Sequence, residues 1–240
     1  MDRVKVYPGQ IASAKDILRH NRFVERGFGA LAESLLGSGQ LIDGLAATPS
    51  GGLNVTIGTG SVYEQAAVDP TAYSSLPADA TLILKQGLAL TPEVFNFPAP
   101  AGVGNARVYL VQYRLQVLDV DSAVVPYFDS ENPTVPWQGP GDNGVAETTT
   151  RATIADLSTK SGAVAAIGAT VAPTPDAGWR GLYLVTVQNG QAVLSAADIA
   201  RYPGAGFIDL KLGAVKSYIE DRLGFSEVPG DLYTWANQGR

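Results

Sequence analysis

The chain has 240 residues, 45 % of them hydrophobic, a formal net charge of −6 and no cysteine. It is long enough to bury a core without cross-links, and the missing cysteines exclude disulfide scaffolds, Cys-ligated zinc, iron–sulfur clusters and thiol nucleophiles. The charge lacks the concentrated Lys/Arg footprint of a nucleic-acid binder, and no run approaches the roughly 20 apolar residues of a membrane span.

Glycine and proline are abundant, at 27 and 15, while charged residues make up only 17 %. With apolar residues recurring throughout, this is a turn-rich β composition rather than a disordered one. The opening "MDRVKVYPGQI" has no apolar signal core, so synthesis in the cytoplasm is expected. Residues 1–12 read as an extended arm broken by Pro8-Gly9, with too little apolar surface to stand alone.

Residues 13–36 carry the clearest helix signal. Ser13 caps it, with Asp16 in the capping-box position, and Gly37 stops it. Ile17, Val24, Phe28, Leu31 and Leu35 form one apolar stripe. The seven-residue spacing of Ile17, Val24 and Leu31 suits a coiled-coil seam, and a helix packed on its own β domain gives the same stripe. Both remain open at this point. The basic residues Arg19, Arg22 and Arg26 beside His20 read as a solvated helix face.

From about 40 to 206 the pattern is β. Strands are expected at 53–57 and 61–65 across a Gly-Thr-Gly turn, and at 80–90. The longest runs over 105–121 in "NARVYLVQYRLQVLDVD", where one face is apolar and the other turns polar halfway. "RATIADLSTKSGA" suggests a strand with a turn, and "RGLYLVTVQNGQAVL" a hairpin about Asn189-Gly190. Many short strands with Gly/Pro turns predict an antiparallel β-sandwich or barrel-like domain. A second helix is expected over 208–223, with Leu212, Val215, Ile219 and Leu223 on one side, then a tail whose Leu232, Tyr233 and Trp235 need a docking surface. The predicted organisation is arm and helix (1–40), β domain (41–206), and C-terminal helix and tail (207–240).

Chemical motifs are sparse. His20 is the only histidine and has no Ser or Asp motif tied to it. Asp119 and Asp121 alternate at a strand end without a third ligand, which suits solubility. "DSENP" and "GDNG" lack the order of a calcium loop, "GTGSVY" lacks the third glycine of a dinucleotide fingerprint, and neither a Walker lysine motif nor a G-x-S-x-G elbow occurs. No catalytic residue, metal or cofactor is expected. The long segment 124–147 remains, where Tyr127, Phe128 and Trp137 either contact a partner or glycan, or pack back on the body.

The blocks "VYPGQI", "LLGSGQLIDGLAATPS", "LNVTIGTGSVYEQ", "DPTAYSSLPAD", "PYFDSENPTVPWQGPGDNG" and "APTPDAGWRGLYLVTVQNGQ" follow one another from about residue 6 to 208. As a set they resemble the N-terminal virion-attachment region of tail-fibre or baseplate-associated proteins of contractile-tailed bacteriophages. The resemblance implies a non-catalytic structural protein of the virion tail, made in the host cytoplasm, that anchors or adapts tail fibres to the baseplate. Fibres of that kind are threefold, so it also implies a homotrimer, with 13–36 or 208–223 as contact helices and baseplate and fibre proteins as partners. Only about thirty residues follow the matching region, where family members often continue into a long receptor-binding part. That favours an adaptor. The alternative is a receptor- or carbohydrate-binding module carried by Tyr127, Phe128 and Trp137.

Overall fold

The computed structural model describes residues 2–11 and 13–209. The Leu212, Val215, Ile219 and Leu223 stripe and the Leu232, Tyr233 and Trp235 tail lie outside the described residues. Met1–Gly206 form one compact unit. It is mainly β, with one α-helix among the described residues, and its large sheet curls into a half-barrel.

Helix α1 spans Ala14–Leu36. The Asp16 carboxylate accepts the Ser13 backbone N–H at 2.9 Å and its hydroxyl at 2.8 Å, so the expected cap forms. The strands are β1 (Leu41–Gly44), β2 (Ala47–Pro49), β3 (Asn54–Ile57), β4 (Gly60–Asp69), β5 (Asp79–Ala89), β6 (Glu93–Asn96), β7 (Asn105–Ala123), β8 (Pro126–Tyr127), β9 (Trp137–Gln138), β10 (Glu147–Ala166), β11 (Arg180–Gln188) and β12 (Ile199–Arg201). The large sheet has the order β1-β4-β5-β10-β7-β11-β12, a smaller one the order β2-β3-β6, and β8-β9 form a separate ribbon. Every pairing is antiparallel except β5 with β10, which are parallel and register only at Leu88 and Ile154.

The Gly-Thr-Gly stretch after β3 does not close a hairpin. It carries the chain from the small sheet into the large one, since β3 pairs with β2 and β6 while β4 pairs with β1 and β5. Gly44 explains the close crossing: its φ is +75°, and a Cβ there would lie 2.7 Å from the Thr59 carbonyl oxygen.

β7 and β10 pair along almost their whole lengths, interrupted by an irregularity between Ser161 and Val164. The turn expected within "RATIADLSTKSGA" is therefore a bulge in one continuous strand. The Asn189-Gly190 hairpin is also overturned. The chain does turn there, with Gln191 N–H donating to the Gln188 carbonyl, but residues 191–194 do not return along β11. The neighbours of β11 are β7 and β12, and Leu194 instead donates its N–H to Gly52 and buries its side chain. β12 occupies that edge of β11 only at Tyr183, Leu184 and Val185.

The core is built from Val55, Ile57, Val62, Leu110, Leu182 and Val185, all fully buried. Phe97 tilts against Tyr109 at 5.2 Å between ring centres, and the Tyr109 hydroxyl donates to the Pro98 carbonyl at 2.6 Å. The first half of β7 is buried on both faces, including Gln112. That amide exchanges two hydrogen bonds with Asp176, through the Asp176 carboxylate at 2.8 Å and its backbone N–H at 3.0 Å, so its burial is satisfied. It thereby pins the loop 171–179 to the sheet.

Candidate functional site

Three features stand apart from ordinary core packing. The first is the seat of α1 on the sheet. The helix approaches β5 through Gly29, where a Cβ would lie 2.8 Å from the Ile83 Cβ. On the N-terminal side of that contact the interface is ionic. Arg22 reaches Asp69 at the end of β4 at 2.7 Å and also donates to the Pro77 carbonyl. Glu25 meets the buried Lys85 ammonium at 3.0 Å, and that ammonium also donates to the Val68 carbonyl. Arg22 thus departs from the expected solvated face, because the buried Asp69 needs a positive partner there.

Asp69 is only 2 % exposed and takes a second guanidinium from Arg151 on β10, at 3.0 Å. Arg151 in turn grips Asp119 on β7 with two bonds, of 2.7 and 2.8 Å, and donates to the carbonyls of Thr71 and Ala72. Its guanidinium also lies over the Tyr73 ring at 5.0 Å. The hydrogen bonds from Arg151 hold the Asp119 carboxyl below its ordinary value, and those to Asp119 and Asp69 push Arg151 above its own. Asp119 therefore belongs to an ion-paired chain running from α1 through β4 to β10 and β7, rather than to a merely solubilising strand end.

The second feature is the outer face of α1. Ile17, Phe28, Leu31 and Leu35 are between 55 % and 68 % exposed. Of the two alternatives left by the sequence, packing of this stripe on the chain's own sheet does not occur. The sheet takes the Arg22–Gly29 side instead. Val24 is half-buried at the edge of a groove of about 760 Å³, lined by Phe28 and Leu31 from the helix and by Tyr63, Leu84 and Gln86 from β4 and β5. His20 lies on the same rim and is exposed.

The third feature is the segment after β7. It is not structureless: Tyr127 pairs across the β8-β9 ribbon with Trp137, and a 3-10 turn at Pro140–Asp142 closes it. The Tyr127 hydroxyl donates to the Glu147 carboxylate, which raises the phenol's pKa. Phe128 is 76 % exposed, so it does not pack back on the body, and Tyr127 and Trp137 are only partly covered. A cleft of about 520 Å³ beside the ribbon is lined by Tyr73, Tyr127, Glu147 and Arg151.

The N-terminal arm leaves Val6, Tyr7 and Ile11 exposed and touches the helix through an ion pair of Asp2 with Arg26 at 3.9 Å. Sequence reasoning missed Asp69, Lys85 and Arg151. Lys85 carried a signal, because a lysine inside the apolar run "TLILKQGLAL" has to find a carboxylate. Asp69 and Arg151 are 82 positions apart and carried none. Among the described residues no cluster of three or more metal-ligating side chains occurs, and no helix is long and apolar enough to cross a membrane. Comparison with protein-family models, with curated proteins and with solved structures finds no match for the chain.

Proposed function

We propose that this chain is a structural, non-catalytic component of a bacteriophage tail, a homotrimeric adaptor that anchors fibres to the baseplate. The reading rests on the ordered sequence blocks from about residue 6 to 208. The observation that carries it furthest is the apolar outer face of α1, held rigidly by ion pairs and facing water in the single chain. A part built for assembly needs such a surface, a stiff barrel-like body to present it, and no reactive side chains. Labelling purified particles with antibody against the chain tests the reading. Gold particles at the tail tip are the expected result, and their absence from particles of every kind in an induced lysate overturns it.

A second reading is favoured by the ribbon. It brings Tyr127 and Trp137 side by side with Phe128 exposed beside a polar cleft, an arrangement that suits stacking on sugar rings. Binding on a broad glycan panel that disappears in Trp137→Ala supports it, and no binding on the panel counts against it.

A further inference from the structure

We propose that the start of β11 carries a pocket for a sugar acid, a single pyranose ring bearing a carboxylate, bound through Arg180 and Tyr113. Neither reading above gives this place a ligand, and it is built from other residues than the cleft beside the Tyr127–Trp137 ribbon.

The pocket grows out of a strand pairing. Arg180, the first residue of β11, sits directly opposite Tyr113 on β7. Opposite residues of an antiparallel pair project to the same face, so the guanidinium and the phenol emerge side by side. Both line a cavity of about 240 Å³, together with Trp179 and Tyr202. The two aromatic side chains are held in place. Arg114 lies over the Trp179 ring at 4.6 Å and is itself anchored on Asp156 at 2.8 Å. The Tyr202 ring covers Gly181 so closely that a Cβ there would have no room, and its backbone N–H donates to the Leu182 carbonyl at 3.0 Å. The remaining rim, residues 203–206, is tied down where the Gly206 carbonyl accepts the Ile42 N–H at 2.9 Å.

What the pocket offers is donors. Arg180 is the one charged residue among the described residues that line it. Its Nε is buried without a hydrogen-bond partner, and its Nη1 makes only a long bond of 3.3 Å to the Trp179 carbonyl. Glu64 stands 3.8 Å from that Nε, beyond hydrogen-bond range, and does not line the cavity. It offsets the guanidinium's charge without using its donors. Arg22, Arg114 and Arg151, by contrast, each close on a carboxylate at 3.0 Å or less. Tyr113 is only 2 % exposed, and no hydrogen bond joins its hydroxyl to a described residue. Burial, and then Glu64, push this phenol up to about 12, so it keeps its proton. One carboxylate brings acceptors alone and satisfies the guanidinium fork and the phenol together. A cavity of this size holds one ring, and Trp179 and Tyr202 suit the apolar face of a pyranose.

The test is an NMR titration of the full chain, read at the Trp179 indole N–H, which Trp179→Phe identifies. D-glucuronate should shift this signal saturably. Glucose, which lacks the carboxylate, and propionate, which lacks the ring, should leave it in place over the same concentrations. Arg180→Gln should weaken glucuronate binding by roughly 10- to 100-fold and Tyr113→Phe by roughly 3- to 10-fold, with methyl resonances of the core unchanged. Glu64→Gln removes the competing charge and should tighten binding. Trp137→Ala should leave it unaltered, which separates this pocket from a glycan site on the ribbon. Glucose binding as tightly as glucuronate overturns the carboxylate. Propionate binding as tightly overturns the sugar in favour of an acidic peptide side chain. No shift with any of the three, or a glucuronate affinity unchanged in Arg180→Gln, overturns the pocket and leaves the tail adaptor untouched.

Discussion

The two faces of α1 obey opposite rules. The face against the sheet is glycine and charge, with Gly29 on Ile83, Arg22 on Asp69 and Glu25 on Lys85. The face toward water is leucine, isoleucine and phenylalanine. A few residues away, the interior between β7 and β11 follows the ordinary rule and buries Leu110, Leu182 and Val185. The difference separates two jobs. Apolar burial makes the β body, while directional charge fixes where the helix sits and in which rotation. A greasy helix face would have docked anywhere on the curled sheet. An ion-paired one has a single seat, and it keeps its apolar side for something else.

The contrast can be broken most severely at Asp69. Asp69→Ala leaves two buried guanidiniums without their shared partner, and breaking a buried pair in this way costs about 3–5 kcal/mol. Urea unfolding measures the loss, and hydrogen exchange should place its first consequence in α1 and the β5–β10 join, with β7 still protected. In the body, Leu110→Ala should cost about 2–5 kcal/mol by opening a cavity. Its exchange signature is the reverse, with β7, β10 and β11 losing protection together. Equal loss of protection in α1 and β7 in both variants would erase the distinction between the two regions.

Gly29→Val sharpens the comparison at smaller scale. The added carbons meet Ile83 at less than contact distance, for a cost of about 1–3 kcal/mol. Pairing the change with Ile83→Ala should recover part of it, which a loss of backbone freedom alone would not allow. The smallest effect is on pH. Asp119 has its carboxyl lowered by Arg151, and Asp176 by Lys160 and then Gln112. A lowered carboxyl stabilises the fold above its unfolded pKa, and the contribution is lost as pH falls through the folded value. A shallow decline in melting temperature on acidification is therefore expected below the ordinary carboxylate range. Arg151→Lys should flatten the Asp119 part of it, because a lysine cannot make the paired bond.

The sequence made some of this plain and hid the rest for definite reasons. The α1 boundaries were legible because Ser13, Asp16 and Gly37 act on their immediate neighbours. β7 was legible from its alternation, and β4 and β5 from short apolar runs. The Asn189-Gly190 hairpin misled because a turn signal states that the chain reverses, not which strand it then pairs with. After the turn the chain leaves β11 for Gly52, and β12 returns to that edge only at Tyr183, Leu184 and Val185. Gln112 looked like the start of a polar face, yet it is buried by a partner 64 residues away. The same is true of Arg22, whose helical neighbours are basic and solvated while its own partner lies 47 residues downstream. Local pattern reports the period of an element. It does not report which of two faces the rest of the molecule will cover.

The single parallel join between β5 and β10 has a kinetic consequence. On one side of it, β1, β4 and β5 come from one stretch of chain; on the other, β7, β10, β11 and β12 come from another. The first group assembles from partners 10 to 29 positions apart, whereas in the second β7 and β11 already meet across 67 to 82. Joining them requires Leu88 to find Ile154 and Asp69 to find Arg151 across 66 and 82 positions. Long loops close slowly and reward the closure only when made. The β1-β4-β5 group should therefore form first, with the β7–β11 pairing and the Asp69–Arg151 clasp closing late. Mutations at the clasp should speed unfolding while leaving the refolding rate nearly unchanged, whereas mutations within the β4–β5 pair should slow refolding itself.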